Sequence, residues 1–339
     1  MISKILPINN LNRVKLSEAV PLDTPFSIYV FPTTFCNFKC VYCAHSLGYP
    51  EMREQYGFEP QMMSMDIYVK VIGQLKEFPH KLKLLSLTGH GEPMLNPDLP
   101  EMVRMARDAD VANRIELITN ASLMTEKRAD AFISAGLDGL RISLQGMSSE
   151  KYRDVCGFDL NFNELIRNIR YFYEHKGSCD LFIKIMDVAL DEGQEESFYQ
   201  IFNGISDRMF IESCRPVYSG VEFTEGMRNK ITDRYGNLHE PRDVCPLCFF
   251  MLSVFPDGDV EPCDTIYKPV VLGNVNTSTL KDMFLGEKLK EFQLMQLRKM
   301  RCDNQKCAVC VAPDDVSHPL DVLDKSANEI IDRFANARK

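Results

Sequence analysis

The chain has 339 residues, 45% hydrophobic and 26% charged; these are ordinary figures for a globular protein, with length enough for one large domain plus a smaller appendage. Its 39 basic and 48 acidic residues leave a formal charge of −9 with no basic run, which argues against general nucleic-acid binding, since that rests on phosphate neutralisation. The longest apolar stretch, residues 247–255, is about half a membrane span. Residues 1–10 lack the apolar segment of a signal peptide, so the expectation is a soluble cytoplasmic protein that binds neither membrane nor nucleic acid.

In chain order, residues 1–26 read as an N-terminal extension. Short apolar runs at 27–31, 84–88, 114–119, 140–144, 181–186 and 209–212 then read as strands buried on both faces, the pattern of a parallel sheet. Helical stripes fall between them: Leu99, Met102, Val103 and Ala106, then Phe162, Leu165, Ile166, Ile169 and Tyr173, at i, i+3, i+4, i+7 spacing. Gly136 and Gly177 stand where helices should end. This β–α alternation over 27–213 predicts right-handed crossovers and a site at the C-terminal strand ends. Around 214–243 the pattern dissolves among Pro216, Gly220, Gly226 and Pro241, which reads as a linker. Residues 244–312 carry a hairpin turning at Pro256-Asp257-Gly258, then two helices, the first capped by Thr279. Residues 313–339 read as a helical tail.

Twelve cysteines in a chain without a secretory signal favour metal or redox chemistry over disulfides. Cys156, Cys179 and Cys214 are scattered and read as small core residues. Cys36, Cys40 and Cys43 have the spacing C-x3-C-x2-C directly after the first strand. Three thiolates on one loop bind three irons of a 4Fe–4S cubane and leave the fourth iron open for another ligand. Zinc is the rival: a structural zinc site takes four ligands, and His45 offers a fourth. The second group is Cys245, Cys248, Cys263, Cys302, Cys307 and Cys310, again open to iron–sulfur or structural zinc.

Thr34-Phe35-Cys36 through Cys43, with Tyr42 before the last cysteine, resembles the cluster loop of the radical S-adenosylmethionine (SAM) superfamily. Gly89-His90-Gly91-Glu92-Pro93 after the second strand is similar to that family's Gly-Glu-Pro motif, Thr119-Asn120 ends the third strand, and 142–146 (Ile-Ser-Leu-Gln-Gly) ends the fourth. The resemblance implies an α/β fold, a partial (β/α)6 barrel, with SAM contacted by Gly91, Glu92, Asn120, Ser143 and Tyr42. It implies a 5′-deoxyadenosyl radical, formed by reductive cleavage of SAM, that removes a hydrogen atom from substrate. A flavodoxin- or ferredoxin-type reductant is the implied partner.

Cys245-Pro246, the hairpin ending in Pro262-Cys263, then Gly273-Asn274-Val275 and Cys307-x2-Cys310 resemble the small α+β SPASM/twitch extension of such enzymes, implying at least one auxiliary 4Fe–4S cluster. Cys245, Cys263, Cys307 and Cys310 fit its shorter form; Cys248 is an alternative to Cys245, and Cys302 departs from the pattern. Lys184, a lone charge in an apolar run, with Glu212 and His90, are the candidate catalytic residues; Asp187, Arg141 and Gln145 fall at comparable levels. Too few residues precede the first strand for a peptide-binding domain, which points to a small carbohydrate-like or sugar-nucleotide substrate. The alternatives are a peptide maturase and, from another class, a zinc-bound structural module.

Overall fold

The computed structural model describes residues 2–7, 13–224, 227, 231–238, 241–315 and 318–336; Gly226 lies outside them. Among the described residues one sheet holds ten strands: β1 (Lys4–Ile5), β2 (Ser27–Val30), β3 (Leu84–Leu87), β4 (Ile115–Thr119), β5 (Gly139–Leu144), β6 (Asp180–Met186), β7 (Arg208–Glu212), β8 (Met251–Val254), β9 (Asp259–Glu261) and β10 (Gly273–Asn274). Their spatial order is β1-β7-β6-β5-β4-β3-β2-β8-β9-β10. From β2 to β7 each strand pairs in parallel with the next, as crossover helices require. Those helices are α1 (Leu16–Ala19) ahead of β2, α2 (Tyr49–Tyr56) and α3 (Met65–Leu75) before β3, α4 (Leu99–Ala109), α5 (Glu126–Ser134), α6 (Ser149–Cys156) and α7 (Phe162–His175) before β6, and α8 (Glu195–Phe202).

The helices start where short polar side chains satisfy free backbone N–H groups. Ser64, Thr125, Ser148 and Asn161 each accept one at the start of α3, α5, α6 and α7. On α4 the Leu99, Met102, Val103 and Ala106 stripe is buried, as is Phe162, Leu165, Ile169 and Phe172 on α7; each large side chain contributes about 1.5–3 kcal/mol.

Strand alternation separates two environments. Ile28, Leu117, Leu140, Ile142 and Ile183 pack into the core under the helices. Tyr29, Ile118, Arg141, Phe182, Lys184 and Glu212 face the other way and line a cavity of about 400 Å³. The strands are therefore not apolar on both faces, and the ionisable residues within them mark the concave side.

The cysteine-rich region is built onto this sheet. β8 pairs in parallel with β2 in the register Ser27↔Met251 and antiparallel with β9. Gly258 takes φ +88° in the turn, a left-handed conformation that favours glycine. Thr279 accepts the Asp282 N–H at 3.1 Å and starts the helix Leu280–Leu285, followed by Glu287–Leu297. The tail helix Ala327–Asn336 buries Ile330 and Phe334, and the Phe334 ring lies edge-on to Phe249 at 6.3 Å.

Candidate functional site

The loop after β2 carries Cys36, Cys40 and Cys43, and the motifs at Gly91-Glu92, Asn120 and Gln145 reach it. Glu92 donates its backbone N–H to the Phe35 carbonyl at 2.8 Å. A Cβ on Gly91 would stand 2.6 Å from both the Phe35 and Thr33 carbonyl oxygens, so only glycine permits this approach. Asn120 donates its side-chain amide to the Asn37 carbonyl oxygen at 3.0 Å, and Asn37 donates to the Ser122 hydroxyl at 2.8 Å. Tyr42 donates its hydroxyl to the Gln145 side chain, whose amide donates to the Ser143 carbonyl at 3.2 Å. His45 Nε2 stands 2.7 Å from the His90 carbonyl oxygen; a carbonyl only accepts, so that nitrogen carries a proton and is committed away from the cysteines.

Glu92 holds this end of the sheet together. Its carboxylate accepts from the Thr119 hydroxyl at 2.6 Å, the Asn120 N–H at 2.7 Å and the Met94 N–H at 3.0 Å. Burial raises its pKa against those three hydrogen bonds.

None of the twelve cysteines is in a disulfide. Burial pushes the Cys36 thiol up to about 12; burial raises Cys43, and the neighbouring Cys156 thiol, then burial, raises Cys40. Deprotonating three mutually close thiols here needs a cationic centre. Among the described residues no three Cys, His, Asp or Glu side chains gather around a single ion; the fit to a cluster rests on this donor set along one loop.

In the second region Cys245, Cys248, Cys263, Cys307 and Cys310 line one small cavity. Burial raises the thiols of Cys245, Cys248 and Cys263 and pushes Cys307 up to about 11. Both Cys245 and Cys248 belong to this lining. Cys302 is exposed and stands outside it.

A larger cavity shares Cys310 with the second cysteine group, and Cys36, Cys40 and Cys43 are not in its lining. It brings together His90, Lys184 and Glu212, with Arg141, Tyr29 and Asp264; Asp187 and Gln145 are not in its lining. Lys184 Nζ donates to Glu212 at 2.7 Å, and burial lowers the Lys184 pKa more than Glu212 raises it. Burial takes His90 down to about 4 despite the nearby Asp264 and Thr265 carbonyls, so its ring is neutral at pH 7.

Sequence reasoning missed the residues that roof this cavity. Val217, Tyr218, Arg234 and Tyr235, from the stretch expected to be a linker, line it. Ser213 donates its N–H to the Arg234 carbonyl at 3.0 Å, and Tyr56 and Tyr267 fasten the segment through Ser219 and Val217. The Arg234 guanidinium donates to Asp315 at 2.8 Å. Only the Arg-Tyr pair within an irregular stretch hinted at this, and no periodicity places such residues. Glu116, 2.6 Å from the Arg141 guanidinium, was also missed, inside a strand that read as apolar.

A family model for the radical SAM superfamily matches residues 30–212, and one for an iron–sulfur cluster-binding domain, SPASM, matches 245–311. A GTP 3′,8-cyclase of Chlorobaculum tepidum is 30% identical over 153 residues, 44% of this chain and 43% of that protein. A probable GTP 3′,8-cyclase of Metallosphaera sedula is 36% identical over 165 residues, 49% and 47%. The chain thus spans about half the length of the curated relatives it matches. Among solved structures, Streptococcus suis SuiB bound to S-adenosylmethionine gives a TM-score of 0.60 at 14% identity, covering 90% of this chain and 79% of that one. Native anSMEcpe with bound AdoMet gives 0.58 at 19%, covering 93% and 98%. BtrN in complex with AdoMet and 2-DOIA gives 0.55 at 18%, covering 84% and 92%. At those identities the likeness is one of fold. The iron–sulfur families decide between the metals left open by spacing: the cofactors are SAM, a 4Fe–4S cluster at the Cys36, Cys40 and Cys43 motif, and auxiliary iron–sulfur chemistry in the second region. With its first match covering more than half of the residues, this chain belongs to the radical SAM superfamily and carries a C-terminal SPASM domain.

Proposed function

We propose that the protein removes a hydrogen atom from a small carbohydrate-like substrate, a sugar or sugar nucleotide held in the 400 Å³ cavity, and oxidises the resulting radical through an auxiliary cluster. When bound, SAM and the cluster at Cys36, Cys40 and Cys43 supply a 5′-deoxyadenosyl radical for that abstraction. The observation that carries the reading is the shared wall: Leu247, Thr265, Tyr267, Cys310 and Ala312 line both this cavity and the cysteine-lined one.

The volume suits a small ligand. Its polar groups suit hydroxyls, each of which donates one hydrogen bond and accepts others. Arg234 offers a buried Nε donor and Asp315 a buried Oδ1 acceptor, both without a hydrogen-bond partner among the described residues. The His90 Nε2 is likewise buried without one. Such groups are costly until a ligand satisfies them. Glu92, Asn120 and Asn37 hold the cluster loop against the strand ends. Glu212 is the acceptor for the proton that the substrate hydroxyl releases as its carbon becomes a carbonyl, with Lys184 orienting the carboxylate. Hydrogen-atom loss, then loss of one electron and this proton, completes a two-electron oxidation. A flavodoxin- or ferredoxin-type protein is the reductant.

The test is anaerobic reconstitution with dithionite and SAM. We expect 5′-deoxyadenosine, increased by a sugar or sugar nucleotide and carrying deuterium from a labelled substrate, and none from Cys40→Ala. The curated relatives are named for a reaction on GTP, so nucleotides belong in the panel. Stimulation by peptides alone would overturn the substrate reading.

A further inference from the structure

Cys156 ends α6, and nothing in the cluster motif assigns it a role. Gly157 follows with φ +62° and stops the helix, leaving its last carbonyls without intrahelical partners. The cluster loop supplies them: Lys39 donates its N–H to the Cys156 carbonyl at 2.9 Å, and Val41 donates to the Val155 carbonyl at 2.8 Å. These bonds flank Cys40 on both sides. Phe38 seals the contact, 6.0 Å edge-on from Tyr152 and 4.9 Å from Phe158. The backbone bonds thus clamp Cys40 against the end of α6, and the neighbouring Cys156 thiol raises the Cys40 pKa. Both residues are buried.

We propose that Cys156 is a positioning residue for the SAM-binding cluster, its S–H donating a hydrogen bond to the Cys40 thiolate. The Cys156 S–H donates to the Tyr152 carbonyl at 2.8 Å, one helical turn back. Once Cys40 is an iron ligand it has no proton to give, and Cys156 holds the one remaining between the two sulfurs. A hydrogen bond to an ionised acceptor is about twice as strong as one to a neutral carbonyl, so rotation about the Cβ–Sγ bond turns this S–H from Tyr152 to Cys40. Electron density withdrawn from a ligating sulfur favours the reduced cluster. Cys156 therefore raises the reduction potential of this cluster, and the auxiliary cluster, with ligands elsewhere, is untouched. The inference rests on the cluster site and not on the identity of the substrate.

The experiment is an EPR-monitored redox titration of the reconstituted full chain with SAM bound, in wild type, Cys156→Ala and Cys156→Ser. The signal that changes on adding SAM identifies the N-terminal cluster, and the auxiliary cluster serves as internal reference. We expect alanine to shift the N-terminal midpoint to more negative potential. Serine, which keeps a donor, should hold it at or above the wild-type value, with the auxiliary midpoint constant in all three. An unchanged midpoint in the alanine variant overturns the proposal. So does a negative shift shared by serine and alanine, or loss of N-terminal iron from both, since Cys156 would then only fill space beneath the loop.

Discussion

His90 lies between two demands. Its carbonyl accepts from His45, its ring packs edge-on against Phe31 at 5.4 Å, and burial holds its pKa at about 4. An unfolded histidine titrates near 6.5. The folded value is the lower one, so above pH 6.5 both states are neutral and the group contributes no pH dependence. As pH falls through 6.5 the unfolded chain takes up a proton that the folded chain refuses, and stability is lost until about pH 4. By pH 5 the loss approaches about 2 kcal/mol. His90→Gln removes the titrating group, so its anaerobic thermal midpoint should fall less than that of wild type between pH 7 and 5. Parallel curves for the two proteins would show that the ring is protonated at no cost.

Among the elements, the parallel strands were legible because each is a short run rich in apolar residues: 181–186 became Asp180–Met186 and 140–144 became Gly139–Leu144. β1 went unseen because two residues carry no pattern. The pairing of β8 with β2 went unseen for a different reason. A hairpin is written locally in its turn, whereas the partner of its outer edge lies more than two hundred residues away and is chosen by burial. The cluster loop shows the same division. Its cysteine spacing is a local signal, and its seating against Gly91 is not. At Gly91 a Cβ would meet two carbonyl oxygens at 2.6 Å, atoms that move only with the backbone. Gly91→Ala should therefore displace the loop, cost about 1–3 kcal/mol, and lower N-terminal iron content, leaving auxiliary iron intact. Iron and sulfide analysis against Cys40→Ala measures this; full occupancy with unaltered SAM binding would refute the close-approach argument.

At the scale of the whole molecule the second cysteine group is joined to the first through one continuous sheet. β2 leads directly into the cluster loop, and β8, paired beside it, leads through the hairpin to Cys263. Two sites built on neighbouring strands keep a fixed separation, which electron transfer between a substrate and an auxiliary cluster requires. Residues 217–218 and 234–235 line the larger cavity, and sequence alone could not place them, because a stretch without period or turn signature is shaped by what it covers. Cys310 is the cysteine among the residues that line both cavities. Cys310→Ala removes none of Cys36, Cys40 and Cys43, so 5′-deoxyadenosine should still form under dithionite. Oxidised product per 5′-deoxyadenosine should fall at least about tenfold, the scale on which loss of support at a metal site acts. The substrate radical would instead be reduced by dithionite and protonated from solvent, visible as substrate recovered without its deuterium. If both quantities fall together, Cys310 serves the folding of the shared wall; if product formation per cleavage is unchanged, the electron leaves the substrate by another route.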